Sequence, residues 1–592
     1  MHRFEIWAPF AKRLAVSVAG TAHWMDGPTQ SGSWHVDVED VAPGTDYGFV
    51  IDDESACYPD PRSQWQPKGV HEPSRLYDQT VFSWTDGHFR PVPLASGVVY
   101  EMHIGTFTPE GIFDAAIARL DHLVDLGVTH LELMPVAAFE GEYGWGYDGV
   151  VLYAVHEPYG GPDGLKRFVD AAHRKGLAVL LDVVYNHFGP SGNYADRFGP
   201  YVIDSHRTPW GGAVNLEDAG SHQVRRFFVD NALMWLRDYH IDGLRIDAVH
   251  AFVDRSAIHF LEQLAIEVEA LEACLARRLV LIAESDLNDP RLVTPREAGG
   301  FGIDAQWSDD FHHALFTVLC PGEKRGYYQD FGSLAQLAKA LTANFVYDGL
   351  YSRYRNRVHG RPSGFLLQHH FLGYIQNHDQ VGNRAMGDRI SRIAGLDRAM
   401  IAAALVLLGP FVPLIFQGEE WAASSPFQYF ANHQGPELAR AVSEGRREEF
   451  SAFGWDSASI PDPESPATFQ SSKLRWNELS RPEHREMLTW YRELIRLRRN
   501  TPCLNDPRPG NTFVKFDEQE NWIQMHRGAV AVLCNLGAQQ RGFVVAPESK
   551  LLLASRAICQ NIGGKVELPP DTVVALGTPA PSEDFVWDTT GP

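Results

Sequence analysis

Three carboxylates in this 592-residue sequence stand where they could do chemistry: Asp247, Glu284 and Asp379, spaced 37 and then 95 residues apart. Each lies where an apolar run gives way to polar residues, in GLRIDAVH (243–250), LVLIAESD (279–286) and FLGYIQNHD (371–379). An acid in the middle of a buried strand is costly, so a strand tip is where a working acid is tolerated. Taken singly, each acid has a competing reading as a helix cap or a partner in a structural ion pair. Together, each beside a further polar group (Arg245, His250, Asp286, His378), they read as a set. Two carboxyls facing one bond from opposite sides are the equipment of glycoside hydrolysis, one as nucleophile or base and the other as general acid. Arg245 precedes Asp247 by two residues, so on a strand both side chains share a face. The guanidinium favours the carboxylate form of its neighbour. Asp247 therefore fits the anionic role and Glu284 the acid, provided that their surroundings split the two pKa values. The separation of the carboxyls, which decides retention or inversion, is not legible at this stage.

Acids drawn from distant segments need a scaffold that gathers strand ends. From residue 98 the chain repeats an amphipathic helix, a turn and an apolar strand that ends in polar residues. The strands expected are 98–107, 128–136, 177–187, 242–250, 279–286, 302–310, 371–379 and 412–420. Helical stretches such as AAIARLDHLVDLG and VRRFFVDNALMWLRDYH precede several of them. Eight near-continuous apolar strands alternating with helices imply the α/β class and a parallel (β/α)8 TIM barrel, whose catalytic groups collect at the strand C-termini. Long inserts are expected at about 311–367 and 421–475, where they would shape access to that face. Before the barrel, residues 1–92 alternate apolar and polar residues between Gly, Pro and Asp turns, which implies an N-terminal β-sandwich. The barrel is expected to occupy 93–500, and a C-terminal β-domain 501–592.

Composition bounds the partners. Hydrophobic residues make up 44% and charged residues 21%, enough for a large core and incompatible with global disorder. A formal charge of −23 repels phosphate backbones and excludes nucleic acid as a general partner. The 15 Trp, 20 Tyr and 33 Phe supply flat faces for packing or for stacking on sugars. Six scattered cysteines (57, 274, 320, 503, 534, 559) form no CxxC pair and read as reduced thiols of a cytoplasmic protein. No signal peptide is evident behind Met1. The apolar run 399–416 is broken by Gly409-Pro410 and Pro413, so a buried helix and strand are expected rather than a membrane span.

DVVYNH (182–187), GLRIDAVH (243–250), IAESD (282–286) and FLGYIQNHD (371–379) together resemble the four signature regions of the α-amylase superfamily. The resemblance implies a retaining glycoside hydrolase with Asp247 as nucleophile, Glu284 as acid/base and Asp379 gripping the hydroxyls of the sugar at subsite −1. It further implies that His187, His378 and Arg245 line that subsite, and that Asp182 and Asn186 brace its floor. His250 and Asp286 are taken as further substrate contacts. Within the superfamily, DPRSQWQPKGVHEPS (60–74), GWGYDGV (144–150), LIAESDLNDPRLV (281–293) and QWSDDFHHAL (306–315) look like the trehalohydrolases that act on maltooligosyltrehalose. That subgroup's substrates, maltooligosyltrehalose and related α-1,4-glucans, are the partners implied, with no membrane and no nucleic acid. The family's N-terminal domain resembles a starch-binding β-sandwich.

Trp145 and Tyr147 are expected either to stack on sugar near subsite −1 or to pack the barrel rim. Trehalose contacts are sought on the loops after strands six to eight, at Asp309, Asp310, Gln380 and Glu419-Glu420. The competing readings are a glycogen branching or debranching enzyme of the same superfamily and a non-catalytic carbohydrate-binding relative. ESDLNDPRL around Glu284 favours the trehalohydrolase over the first, and the presence of all three acids opposes the second. No cofactor is expected. Many superfamily members hold a structural calcium near the third strand, to which Asn186 would contribute, but no DxDxDG-type loop supplies further oxygen ligands.

Overall fold

The computed structural model describes residues 1–452, 455, 460–558 and 564–578. Its centre is a closed barrel of eight parallel strands. We label them β1 (Val99–Met102), β2 (His130–Leu133), β3 (Ala178–Val183), β4 (Gly243–Ile246), β5 (Val280–Ala283), β6 (Ala305–Trp307), β7 (Phe371–Gly373) and β8 (Val412–Phe416). Each strand pairs with the next in chain order, and β8 closes on β1. All eight expected strands are present, but each is shorter than expected. Ladder pairing stops at Ile246 and Ala283, so Asp247 and Glu284 begin the loops that leave the barrel. The extended, polar-tipped runs read from the sequence were strand plus the start of a catalytic loop.

The apolar strand residues are buried on both faces, inside the barrel and under the ring of helices, as parallel sheets require. Four charged residues break this pattern: Glu101, Glu132, Asp182 and Arg245 all point into a buried interior. They are close neighbours in register, with Glu101 opposite Glu132 and Asp182 opposite Arg245. Charge at this depth is stable only when paired or neutralised. The barrel floor is therefore already a clue to the chemistry above it.

Ahead of the barrel, His2–Trp7 pairs with Ser33–Val38, and Leu14–Val18 lies between Thr21–Trp24 and Asp46–Ile51. Phe4, Val16, Trp34 and Phe49 share a core with Phe198, which comes from the loop after β3. That shared core fixes the N-terminal strands to the barrel. The intervening segment is fastened by Asp86, which bonds His173 and His240 at 2.7 Å each. After β6 come the helices Asp309–Leu319 and Leu334–Ala343 and the hairpin Leu350–Ser352/Arg357–His359. After β8 comes Pro436–Ala452, and Pro482–Asn500 then packs beside the barrel. The apolar run 399–416 is a helix to Leu407 followed by β8; among the described residues no helix is long and apolar enough to cross a membrane.

Beyond residue 511 the sheet order is Thr512–Asp517, Trp522–Arg527, Val530–Asn535, Thr572–Gly577, Lys550–Ala554. Arg527 of this sheet and Arg498 of the preceding helix are both buried, and both donate to the Gly409 carbonyl, at 2.6 and 2.9 Å. The five described cysteines are free; Cys559 lies outside the described residues.

Candidate active site

Arg245 organises the site. Fully buried on β4, it donates from Nη1 to both oxygens of Asp182 at 2.9 and 2.8 Å and to Asp247 Oδ1 at 2.7 Å. Its guanidinium lies 4.3 Å from the centre of the Trp307 ring. On the other side, its Nη2 stands 3.8 Å from Glu284 Oε2. One guanidinium therefore faces both sequence-predicted catalytic acids, but with unequal grip. Asp247 receives a short charge-assisted hydrogen bond. Glu284 receives only a distant attraction, and its Oε2 accepts instead from the Ala248 amide at 2.7 Å. Ala248 adopts a left-handed conformation (φ 41°), turning the chain sharply just after Asp247 so that its N–H meets Glu284.

The two acids consequently sit in unlike surroundings. Burial pushes the Glu284 carboxyl above the ordinary range; the Asp247 carboxylate adds to this, against the pull of Arg245. The shift is toward the protonated form that a general acid needs. Below them, burial pushes Glu132 well above the ordinary range, and neighbouring Glu101 adds to the shift. Neither Glu132 oxygen has a hydrogen-bond partner among the described residues. A neutral carboxyl at Glu132 keeps the floor from accumulating negative charge.

His378 is the second cation. Its Nδ1 is 2.5 Å from Glu101 Oε1, and its backbone N–H donates to Oε2 at 2.9 Å. Burial alone would lower its pKa, but Asp379 and Glu101 raise it to about 9. Its Nε2 lies 2.8 Å from Tyr147 Oη and 3.4 Å from Asp379 Oδ2. Tyr147 in turn donates to Asp182 at 2.5 Å. Asp182, Arg245, Asp247, Glu284, His378, Tyr147 and Asp379 thus form one connected cluster. Asp379 is the most open of the three acids, with 40% of its side chain exposed, as a group that meets a sugar hydroxyl should be.

The other expected site residues divide. His187 is brought to the rim and stacks on Trp210 (5.0 Å, 9° between planes). Trp210 sits at the tip of the hairpin Val202–Thr208/Gly211–Val214 and is 45% exposed. His250 is an exposed residue on the loop after β4. Asp286 accepts from Arg355 at 3.0 Å. Gln380 and Asp309 are linked at 3.4 Å.

Trp145, by contrast, offers no open face. It is enclosed between Phe427 (5.3 Å, 20°) and Tyr429, and its indole N–H donates to the Gln428 carbonyl at 2.9 Å. It packs the wall behind His378, as the rim-packing alternative held, while Tyr147 reaches the cluster. Glu419 and Glu420 are corrections: both are buried away from the cluster. Glu419 accepts from Tyr491 and Gln376 at 2.8 and 3.0 Å. Glu420 accepts from Tyr100 at 3.1 Å and pairs with His122 at 2.9 Å. Asp310 is structural too, accepting from the Val346 and Tyr347 amides at 2.7 and 2.8 Å and so bracing the β6–β7 insert.

Asn186, the residue implied for a calcium site, is buried, and neither of its amide atoms has a hydrogen-bond partner among the described residues. A calcium ion takes roughly six to eight oxygens, and among the described residues no cluster of three or more acids or histidines surrounds such a point. No step below runs through such an ion.

The packing of Trp145 carries its own prediction. A Cβ at Gly382 would fall 2.0 Å from Trp145 Cζ2 and 2.2 Å from Cη2. Gly382→Ala is expected to cost about 1–3 kcal/mol through overpacking. A lowered thermal midpoint should be accompanied by a changed near-UV aromatic spectrum, and an unchanged midpoint would refute the tight wall.

Known proteins place the chain among relatives. Residues 81–205 match the family model for the alpha amylase catalytic domain. A malto-oligosyltrehalose trehalohydrolase from Rhizobium sp. is 47% identical over 581 residues, covering 97% of both chains. One from Arthrobacter ramosus is 51% identical over 534 residues, 90% of this chain and 92% of that one. The chain belongs to the malto-oligosyltrehalose trehalohydrolase family. A branching enzyme from Corynebacterium jeikeium is more distant than these members of the trehalohydrolase family, 29% identical over 463 residues. Among solved structures, a protein described as an alpha amylase from Salmonella typhimurium superposes with a TM-score of 0.89 at 39% identity, covering 97% of both chains. A pullulanase bound to maltotetraose, from Anoxybacillus sp., shares the fold with a TM-score of 0.71 at 18% identity.

Sequence reasoning missed Glu101, Glu132, Trp307 and Trp210 in and around this cluster. The first two carried a signal, a lone acid inside an apolar strand (VYEM, HLEL). Trp210 carried none, because a hairpin tip meets His187 only in three dimensions.

Proposed function

We propose that the chain hydrolyses the α-1,4 glucosidic bond next to the terminal trehalose of maltooligosyltrehalose, releasing trehalose and a malto-oligosaccharide. The observation that carries the chemistry is the unlike setting of two carboxyls at the ends of adjacent strands. One is gripped by Arg245, and the other is largely buried, with its carboxyl pushed above the ordinary range. The choice of substrate is supported by near-full-length similarity to the trehalohydrolases.

In this reading Asp247 attacks the anomeric carbon while Glu284 delivers its proton to the leaving oxygen of trehalose. The covalent glycosyl ester on Asp247 is then hydrolysed by a water that Glu284, now ionised, deprotonates. A retaining layout is supported by the closeness of the two acids: they leave the adjacent strands β4 and β5 and approach the same guanidinium, at 2.7 and 3.8 Å. Retaining enzymes need their carboxyls about 5 Å apart. Asp379, steadied by His378 and Asn383, takes sugar hydroxyls. Tyr147 and His187 complete the wall, and the exposed face of Trp210 stacks on a glucosyl ring. We also place the enzyme in the cytoplasm, a reading supported by its unpaired thiols.

Product analysis tests the substrate. Incubation with maltooligosyltrehalose is expected to liberate free trehalose, and much faster than any glucose or maltose is released from plain maltooligosaccharide of equal length. Equal rates on the two would reduce the protein to a general amylase, and new or cleaved α-1,6 branches without trehalose would make it a branching or debranching enzyme.

A further inference from the structure

Asp309 opens the helix after β6, and the mechanism above does not use it. Its Oδ1 accepts from Tyr374 Oη at 2.6 Å and from Gln380 Nε2 at 3.4 Å. The polarity of these bonds is fixed from outside. Tyr328 donates to Gln380 Oε1 at 2.9 Å, which turns the amide nitrogen of Gln380 toward Asp309. His312 Nε2 lies 2.8 Å from the same Tyr328 oxygen, and burial holds that imidazole neutral, its pKa lowered to about 3. Tyr328 thus donates to Gln380, and Gln380 to Asp309. With two donors committed to Oδ1, that oxygen is the acceptor of the carboxyl. Oδ2 has no hydrogen-bond partner among the described residues, and it is the oxygen left to carry a proton.

We propose that Asp309 is a substrate-positioning residue, a carboxylic acid whose Oδ2–H donates to a hydroxyl oxygen of the bound sugar in the space between Glu284 and Asp379. The groups facing it agree. Glu284, Asp286 and Asp379 oppose a further negative charge from the loops after β5 and β7, and Tyr374 and Gln380 offer donors to one oxygen only. Among the described residues no cation pairs with Asp309. Burial first, and Glu284 second, push its carboxyl up to about 8, against the Tyr374 hydrogen bond. A neutral acid both donates and accepts, so it suits a sugar hydroxyl where a second carboxylate beside Glu284 would oppose the negative charge that develops on the general acid as it gives up its proton. The assignment rests on the proposed reaction and adds to it a donor that the three motif acids do not supply.

The test compares wild type, Asp309→Asn and Asp309→Ala on maltooligosyltrehalose between about pH 5 and pH 9. Asn keeps the acceptor oxygen and puts an N–H where Oδ2–H stood. Near neutral pH it is expected to keep kcat/KM within about 3-fold, whereas Ala loses about 10-fold or more, mostly in KM. As pH rises above the ordinary carboxyl range the wild type loses activity through two ionisations, those of Glu284 and Asp309, and the Asn variant through one, so its alkaline limb is shallower. Infrared spectra should show a protonated carboxyl band in the wild type that is missing from Asp309→Asn, whichever sugar is cut. An Asn variant as poor as Ala at every pH, or no lost infrared band, would overturn the proposal; so would three identical pH profiles. Whether trehalose appears at all in the wild-type reaction judges the reaction itself, separately from the differences among variants.

Discussion

Replacing Asp247 by Ala is expected to lower turnover by about 10⁴–10⁶-fold, the scale seen when an enzyme loses its nucleophile, while sugar binding changes only a few-fold. The reasoning begins at Arg245. The ion pair with Asp182 survives the substitution, because Nη1 bonds both Asp182 oxygens independently of Asp247. The barrel floor keeps its cation paired, and the fold should hold. What disappears is the only carboxylate that meets Arg245 from the loop after β4. The groups assigned to grip the sugar, Asp379, His187 and Tyr147, belong to other elements and remain in place. Turnover and binding should therefore separate cleanly, measured as single-turnover rates beside calorimetric binding of a malto-oligosaccharide. A loss below about 100-fold would be far too small for a nucleophile.

Glu284→Gln carries the second large effect, and its pattern is more informative than its size. Glu284 Oε2 accepts the Ala248 amide at 2.7 Å, so the proton belongs on Oε1, the oxygen free to face the leaving group. Gln can keep that amide contact and present an N–H, but it cannot give up a proton. With trehalose as leaving group, turnover is expected to fall about 10²–10⁴-fold, the usual contribution of a general acid. With a maltosyl fluoride, whose leaving group needs no protonation, bond cleavage should be largely spared, and hydrolysis of the glycosyl enzyme becomes the slow step. The pH dependence has a definite sign. Glu284 must be protonated for the first step, and its pKa is raised by burial, so wild-type activity persists above the ordinary carboxyl range and falls as pH rises through the raised value. The Gln variant on the fluoride should lack this alkaline fall in the cleavage step. Equal losses on both substrates would show that Glu284 does not act as the acid.

Much of this was legible in the residues. The eight strands were marked by apolar runs, and the three acids by standing at their ends, because a barrel core rejects charge and a strand tip admits it. What the runs did not mark was where pairing stops. GLRIDAVH reads as one strand, yet the left-handed turn at Ala248 ends it in the middle of the motif and creates the hydrogen bond to Glu284. Burial of polar residues was the other source of error. Glu419 and Glu420 follow β8 as Asp247 follows β4, and sequence position alone does not separate them. Tyr491 and His122, contributed by a helix some 70 residues later and by one some 300 residues earlier, satisfy them in a helix interface instead. Trp145 was ambiguous for a similar reason: an aromatic beside a site stacks on ligand or packs a wall according to what covers its faces, and Phe427 and Tyr429 come from the distant β8 loop. Glu132 shows the opposite case, a residue whose isolation in HLEL was visible and whose meaning came only with Arg245 and Glu101 beside it.

The claim on which the account turns is that Asp247 forms the covalent bond while Glu284 moves the proton. Glu284→Gln enzyme, loaded with maltosyl fluoride, quenched with acid and digested, tests it in one step by peptide mass spectrometry. The account predicts a maltosyl ester on the peptide that contains Asp247, and its disappearance in the double variant with Asp247→Ala. An ester on Asp379 or another acid would contradict it, as would fluoride release with no ester and a product of inverted configuration.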